Sequence, residues 1–130
     1  MSQRGVTLME LLTVIIMIGI LASIGLLNFT GVKEHALGKE AQANLKLIAA
    51  AERIYRMEIG TYYNPGTNID TINQELKLSL PNTGVWNYSF SGVTTDAFIA
   101  SATRGSGGPL PLCTRTIDQN DTEGQAGNCP

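Results

Sequence analysis

The sequence predicts an α+β protein in which one long amino-terminal helix packs on a small antiparallel sheet. Two observations predict the helix. Residues 11–27 are almost entirely apolar, and no proline interrupts residues 7–59. One observation predicts the sheet: aromatic and polar side chains alternate over residues 86–91, which is the period of a strand with one buried face. We therefore expect a helix over residues 6–60 and a globular αβ-loop, sheet and carboxyl-terminal loop over residues 61–130.

The long helix has two chemically different parts. Residues 6–28 are apolar on all sides, whereas the residues that follow show the three, four and seven spacing of an amphipathic helix. Gly60 is a suitable terminator, and about 50 helical residues would extend about 80 Å. Two apolar strips predict partners on two sides, the chain's own domain and a neighbouring subunit. The first strip is Leu37, Ala41, Leu45, Ile48, Tyr55 and Ile59, and the second is Ala36, Ala43, Leu47, Ala50 and Ile54.

The apolar part is open to two interpretations. It is shorter than the roughly 20 residues that span a bilayer, although weakly polar flanks extend it. A secretory signal peptide would need a basic start and a small-residue cleavage site. Only Arg4 is basic here, and the sequence after the apolar run, near residues 22–25, is a poor cleavage site. A membrane anchor fits better.

The second half of the chain predicts a short helix and three strands. The helix covers Ile69–Leu78 with Asn68 or Asp70 as its cap. The strands cover residues 86–91, 95–103 and 112–117, and an irregular polar tail follows from residue 118. Three strands cannot bury a large core alone, so the sheet is expected to pack on the amphipathic half of the long helix.

Cys113 and Cys129 are the two cysteines of the chain. An even count of nearby cysteines in a chain that enters a membrane favours one disulfide, formed outside the cytoplasm. Two free thiols in a cytosolic tail are the alternative. A disulfide closing this loop would stabilise the tail by roughly 3 kcal/mol in the chain-entropy description.

The composition argues against several classes of function. The net charge is −2, and the few Lys and Arg residues form no basic stripe, which argues against a nucleic-acid-binding protein. The sequence has no metal-ligand cluster, phosphate-binding loop or nucleophile elbow, so neither an enzyme nor a cofactor is predicted. His35, the single histidine, falls in the charged pattern of the helix and is interpreted as a solvated residue.

One acidic cluster is a candidate ligand set. Asp118, Asn120, Asp121 and Glu123 place oxygen atoms at near-alternate positions, as calcium sites do. The spacing does not match an EF-hand loop, and a solvated polar loop is the favoured interpretation, so no metal site is predicted. Asn120 also begins one of two glycosylation triplets; the other begins at Asn87.

The amino terminus resembles that of a known family. Arg4-Gly5 followed by Val6-Thr7-Leu8-Met9-Glu10-Leu11-Leu12 and a long apolar run is similar to the class III leader and first helix of type IV pilins and type II secretion pseudopilins. Residues 33–63 resemble the end of that family's helix. The resemblance implies a pilin-like, ladle-shaped fold. It also implies that residues 1–5 are a leader, which a prepilin peptidase cuts after Gly5 before it N-methylates Val6.

Two positions depart from the family pattern. Val6 replaces the usual aromatic residue after the glycine, and Leu27 stands where many pilins have a mid-helix proline.

The resemblance further implies that subunits wait in the inner membrane. A platform protein and an assembly ATPase then lift them into a helical homo-oligomeric filament.

Glu10 has two interpretations. Thr7 and Glu10 fit a capping box before an apolar run, and an acid near a helix amino terminus is favoured by the helix dipole. The resemblance implies an intermolecular role instead. In a filament core the carboxylate would be buried, and a buried charge is costly unless paired. The α-amine of Val6 on an adjacent subunit, exposed by cleavage, would supply the positive charge.

The predicted function is that of a pilin, a structural subunit of an extracellular type IV pilus used for adhesion, motility or DNA uptake. The alternative is a pseudopilin of a periplasmic type II secretion pseudopilus. A disulfide-closed terminal loop favours the pilin, since major pseudopilins usually carry a calcium loop there. A plain membrane-anchored binding domain is the competitor from another class.

Overall fold

A computed structural model describes residues 5–25, 29–64, 66–105 and 112–129 of the 130-residue chain. The chain divides into two compact units, Met1–Lys33 and Glu34–Pro130. Three helices and four strands are described. In chain order they are α1 (Leu8–Gly25), α2 (Phe29–Ile59), α3 (Ile69–Glu75), β1 (Trp86–Ser91), β2 (Ile99–Arg104), β3 (Thr114–Asp118) and β4 (Glu123–Ala126).

The predicted long helix is described as two helices. They lie on either side of residues 26–28, which are outside the described ranges, so continuity through that stretch remains a prediction. The first helix begins at Leu8 rather than at Val6. The second ends at Ile59, where Gly60 takes a φ of +91° and donates its N–H to the Arg56 carbonyl at 2.8 Å. This left-handed glycine cap is the predicted terminator.

Within the described ranges, no single helix is long and apolar enough to cross a bilayer, whereas α1 and α2 meet the length and composition requirement as a pair interrupted by a short break.

The short helix α3 begins where the sequence predicts. Asn68 is its cap, because the side-chain oxygen accepts hydrogen bonds from the N–H groups of Asp70 at 2.9 Å and Thr71 at 3.3 Å. The helix ends at Glu75, three residues before the predicted Leu78. Lys77 has a φ of +52°, a left-handed conformation that cannot continue a helix.

The four strands form one antiparallel sheet in the order β1-β2-β3-β4. Strand β1 covers the predicted residues 86–91. Strand β2 begins at Ile99 rather than residue 95, because Thr94 folds the preceding segment into a turn. The Thr94 N–H donates to the Ala97 carbonyl at 2.8 Å, and its hydroxyl oxygen accepts the Ala97 N–H at 3.0 Å.

The predicted irregular tail is partly wrong, because it contains strand β4. Asp118 ends β3 and accepts hydrogen bonds from the N–H groups of Asn120 and Thr122, both at 2.8 Å, through one carboxylate oxygen. This side-chain turn reverses the chain. Strand β4 then pairs with β3, with Thr116 opposite Gly124 and Ile117 opposite Glu123. Strand β3 begins at Thr114, two residues later than predicted.

The sheet and α2 share one hydrophobic core, as predicted. Helix α2 contributes a face centred on Ala41, Leu45 and Ile48, and the sheet contributes aromatic and aliphatic side chains from its first three strands. Several of these residues are fully buried. The core members of α2 and the sheet are Ala41, Leu45, Ile48, Ala49, Ala51, Trp86, Tyr88, Ala100, Ala102 and Ile117.

The predicted disulfide between Cys113 and Cys129 is confirmed. It joins the residue before β3 to the residues that follow β4, so the last hairpin is closed covalently. Gly127 lies between that strand and the disulfide with a φ of +81°, and a Cβ atom at this position would lie 1.6 Å from the Leu112 carbonyl oxygen. Only glycine fits there.

Candidate functional site: the amino-terminal helix and its carboxylate

Helix α1 begins with half of the predicted capping box. The Glu10 N–H lies 3.3 Å from the Thr7 hydroxyl oxygen and 3.1 Å from the Thr7 carbonyl oxygen. Thr7 is therefore the cap residue, and its oxygen atoms accept the backbone N–H of Glu10. Gly5 and Val6 precede the helix in non-helical, exposed backbone.

The Glu10 carboxylate takes no part in this cap. Within the described residues, no hydrogen bond or ion pair reaches its oxygen atoms, and the side chain is exposed. The capping and the intermolecular interpretations of Glu10 are therefore compatible. The cap uses the backbone N–H, and the carboxylate remains available.

The other polar side chains of α1 are satisfied within the helix itself. The Thr13 hydroxyl donates to the carbonyl of Met9 at 2.9 Å or of Glu10 at 3.0 Å, and the Ser23 hydroxyl donates to the Ile20 carbonyl at 3.0 Å. A hydrogen bond from a hydroxyl to a carbonyl of the preceding turn satisfies the hydroxyl within the helix, even where the surroundings are apolar. Glu10 is therefore the one side chain of α1 that presents an unsatisfied polar group.

The apolar surface of α1 is exposed around the whole helix. A large apolar surface of this kind marks a membrane or protein interaction site. Because all sides of the helix are apolar, either lipid or several packed helices would cover it. The exposed side chains are Leu8, Met9, Leu11, Leu12, Val14, Ile15, Ile16, Met17, Ile18, Ile20, Leu21 and Ile24.

Helix α2 has one buried and one exposed apolar strip. The middle of the first predicted strip, Ala41, Leu45 and Ile48, lies in the core, whereas Ile59 at its end is 60% exposed. The second strip faces outward: Leu47 is 47% exposed and Ile54 is 54% exposed. The predicted neighbour for this second strip stays a prediction. His35 is exposed on the same helix, as expected.

A buried ion pair that the sequence did not reveal fixes the start of the globular unit. Arg104 at the end of β2 contacts a Glu34 oxygen at 3.0 Å, and both side chains are more than 90% buried. The guanidinium carbon also lies 5.4 Å from the Trp86 ring centre, within range of a cation–π contact. The two charged residues are 70 positions apart, so no local pattern could have paired them.

A second buried acid, Glu52, lies on the core side of α2. One carboxylate oxygen accepts the Tyr63 N–H at 2.8 Å, whereas the other has no hydrogen-bond partner among the described residues. Burial raises the pKa of this carboxyl to about 7, and the Tyr63 hydrogen bond opposes the shift. Glu52 thereby ties the helix to the loop that follows Gly60.

The acidic cluster of the last hairpin is not assembled as a metal site. Asp118 caps its own turn, and the Thr122 N–H lowers its pKa. Asp121 pairs with Arg53, and Glu123 pairs with Lys46 at 2.8 Å. Across the described ranges, no group of three or more acidic, His or Cys side chains could hold a metal ion. Two of these acids are instead paired with cations of α2.

These features define a class of protein. An exposed apolar helix with one free carboxylate precedes a helix that packs on an antiparallel sheet, and a disulfide closes the last hairpin. This is the pilin-like α+β architecture that the sequence predicts.

Comparison with known proteins supports the same class. The chain is similar to type II secretion system core protein G of Escherichia coli, with 36% identity over 67 residues, which is 52% of this chain and 45% of that protein. Its similarity to the core protein G of Pectobacterium carotovorum subsp. carotovorum is 35% over 60 residues, or 46% of this chain and 38% of that protein. The relatives confirm the resemblance to the pilin and pseudopilin family.

The alignment spans less than half the length of these two relatives. No family model matches the chain. Among solved structures, a type IV pilin from Shewanella oneidensis aligns with a TM-score of 0.44 and 20% identity, covering 72% of this chain and 94% of that chain.

Proposed function

We propose that this chain is a structural subunit of a type IV filament, and that it polymerises after residues 1–5 are removed and Val6 is N-methylated. The observation that carries the proposal is the surface of α1. It is apolar and exposed on all sides, both of its hydroxyls are internally bonded, and Glu10 alone keeps an unpaired charge. The role is structural rather than catalytic.

The unpaired carboxylate supplies the assembly signal. When apolar helices pack together, Glu10 leaves water, and a carboxylate without a partner would be strongly destabilising there. The α-amine of Val6 that cleavage creates on an adjacent subunit is a suitable partner. An uncut leader would place a neutral peptide bond at Val6 instead. Cleavage of the leader is therefore required before subunits can assemble.

Helix α1 also acts as a membrane anchor before assembly. Its apolar surface matches lipid, so subunits are held in the inner membrane by residues 6–28 until a platform protein and an ATPase extract them. Filament packing then replaces lipid contacts with helix contacts. The part of the chain after the long helix, residues 61–130 with the sheet, faces outward and sets the surface of an extracellular pilus for adhesion, motility or DNA uptake.

The closed carboxyl-terminal hairpin supports the pilus. Lys46 pairs with Glu123 and Arg53 with Asp121, and the disulfide between Cys113 and Cys129 joins the ends of the hairpin. These contacts support a disulfide-closed loop of the pilin type, whereas the family's major pseudopilins usually hold the corresponding loop with calcium.

A pseudopilin is the second candidate function. The similarity to relatives named type II secretion system core protein G supports this candidate. That similarity covers about half of this chain. In that case the filament would be a periplasmic pseudopilus of a secretion system rather than a surface fibre.

Two measurements on the native cell test the proposal. Mass spectrometry of the purified chain should find an N-methylated Val6 terminus, and an intact Met1 would contradict processing. Immunoelectron microscopy with an antibody to the sheet unit should label fibres on the cell surface. Labelling confined to the periplasm, together with loss of protein secretion on deletion, would favour the pseudopilin instead. An N-methylated chain that never enters a fibre would rule out both filaments.

A further inference from the structure

The second apolar strip of α2 borders an open groove on the globular unit. Leu47, Ala50 and Ile54 of the helix form one wall, and Leu76 and Leu78, next to the end of α3, form the other. The groove has a cavity volume of about 260 Å³, and its helical wall is about half exposed at Leu47 and Ile54. Concave sites lined mainly by apolar side chains favour apolar ligand groups.

The rim of the groove is acidic. Glu58 and Glu75 line it with exposed side chains, and among the described lining residues Lys77 is the only cation. A lipid acyl surface would not suit a rim that carries two carboxylates, because these charges would be drawn out of water. An apolar segment with an adjoining cation suits it better.

The chain itself contains such a segment at the start of α2. Phe29 and Val32 are 71% and 66% exposed and lie three positions apart, so both side chains share one face of the helix. Lys33 follows them and is exposed. Glu34, the next residue, is already neutralised by Arg104. This segment therefore presents an apolar pair beside a positive charge that has no ion-pair partner in the described part of the chain.

We propose that the groove of one subunit receives Phe29 and Val32 of a second copy of this chain, with Lys33 lying against Glu58 and Glu75. The contact rests on the proposed filament, and it names which surfaces of two subunits meet outside the apolar core. Within a filament, both surfaces would leave water together. The favourable terms are apolar burial and the pairing of one cation with two acids.

Pairwise cysteine cross-linking in fibres tests this contact. Two differently tagged chains, one with Phe29→Cys and one with Ala50→Cys, are co-expressed with an excess of the unmodified chain, and sheared fibres are oxidised. The native cysteines form a disulfide and the described residues include no free thiol, so heterodimers report the introduced pair. The expected heterodimer yield exceeds that of the control pair by about tenfold, equivalent to about 1.4 kcal/mol.

The matched control is Phe29→Cys with Ala43→Cys. Ala43 is an exposed alanine on the same apolar strip but lies outside the groove. Equal heterodimer yields from the two pairs in well-formed fibres would overturn this contact alone. If the unmodified chain forms no fibres, the filament proposal itself fails, and this contact fails with it.

A charge exchange gives an independent measurement. Lys33→Glu should lower the heterodimer yield of the Phe29→Cys and Ala50→Cys pair at least threefold, since three carboxylates would then meet. Adding Glu58→Lys should restore it. All of these side chains are exposed, so the globular unit stays folded. An unchanged heterodimer yield with Lys33→Glu would contradict the proposed pairing of Lys33 with the two acids. If Glu58→Lys does not restore the yield, Lys33 acts at another site.

Discussion

Helices α1 and α2 contain similar apolar residues and use them differently. Leu12 of α1 and Leu47 of α2 are both 47% exposed, whereas Leu45, two residues before Leu47, is 2% exposed. The difference lies in the partners available within one chain. Helix α2 has a sheet to cover one face, and α1 has a uniform apolar surface. Exposure on α1 therefore marks the part of the chain that the proposed function assigns to contact with lipid or with other subunits.

The acid of α1 also differs from two acids of α2. Glu10 of α1 is exposed and its carboxylate has no partner among the described residues, whereas Glu34 and Glu52 of α2 are buried. Glu34 is paired with an arginine and Glu52 with one backbone N–H. The buried acids act within the subunit, and the exposed acid is available to act between subunits. Four predictions test this division.

The largest effect is expected from Glu10→Gln, or from Glu10→Val. Either change removes the charge that would pair with the Val6 α-amine. Fibres sheared from the cells should become rare, while the chain remains in the membrane fraction and is still processed. Asp70→Asn is the matched control, because Asp70 is also an exposed acid in the first turn of a helix. A normal fibre yield from Glu10→Gln would refute the pairing role.

The next largest effect is expected from breaking the buried ion pair. Arg104→Met leaves the Glu34 carboxylate buried without its partner, which costs about 3–5 kcal/mol of unfolding free energy. Trp86 is the only tryptophan and is buried in the globular unit, so its fluorescence in urea reports the unfolding of that unit in the detergent-solubilised chain. The double variant Glu34→Met with Arg104→Met should recover most of the loss. Equal losses in single and double variants would show that the ion pair is not the cause.

A comparison of two faces of α2 comes third. Leu45→Ala should reduce the unfolding free energy by about 2–5 kcal/mol, because it leaves a cavity in the core. Leu47→Ala should change it by less than about 0.5 kcal/mol. The same fluorescence measurement applies to both. Similar losses at the two positions would mean that the outer strip is covered within the subunit.

The smallest effect is a pH dependence caused by Glu52. Its pKa is raised from 4.5 to about 7 in the folded state, so the folded chain binds more protons in that window. The stability associated with Glu52 is fully present below about pH 4.5 and is lost as the pH rises through about 7. Between pH 5.5 and 8, the unmodified chain should lose about 1–3 kcal/mol relative to Glu52→Gln.

The control for this pH profile is Glu58→Gln, an exposed acid on the same helix. It should follow the unmodified chain. Asp118 and Glu123 have lowered pKa values, so they stay ionised throughout this range and do not contribute. Parallel profiles for the unmodified chain and Glu52→Gln would place the titrating group elsewhere.

The sequence predicts the elements whose signals are local. Alternation over residues 86–91 defines β1, Asn68 identifies the start of α3, and Gly60 identifies the end of α2. Each of these depends on a periodicity or on one capping residue. The two neighbouring cysteines likewise allow a disulfide to be predicted from compartment and count alone.

Features that depend on distant residues could not be predicted in this way. Strand β4 has no apolar alternation, since all four of its residues are exposed, and it exists because Asp118 folds a turn that brings it to β3. The pairing of Glu34 with Arg104 follows from where the end of β2 lies against α2. The acidic hairpin resembled a ligand set because the sequence does not show that Lys46 and Arg53 lie opposite it.

Strand β4 has a consequence for a chain that is crowded against copies of itself. It is an edge strand, and an open edge invites pairing with the sheet of a neighbour, which is the route to aggregation. This edge is four residues long, carries the charge of Glu123 and includes Gly124. The disulfide after it prevents the strand from peeling away to exchange with another subunit. In the proposed filament, this edge of the sheet would therefore resist pairing with a neighbouring sheet, so that subunits could pack densely through their helices.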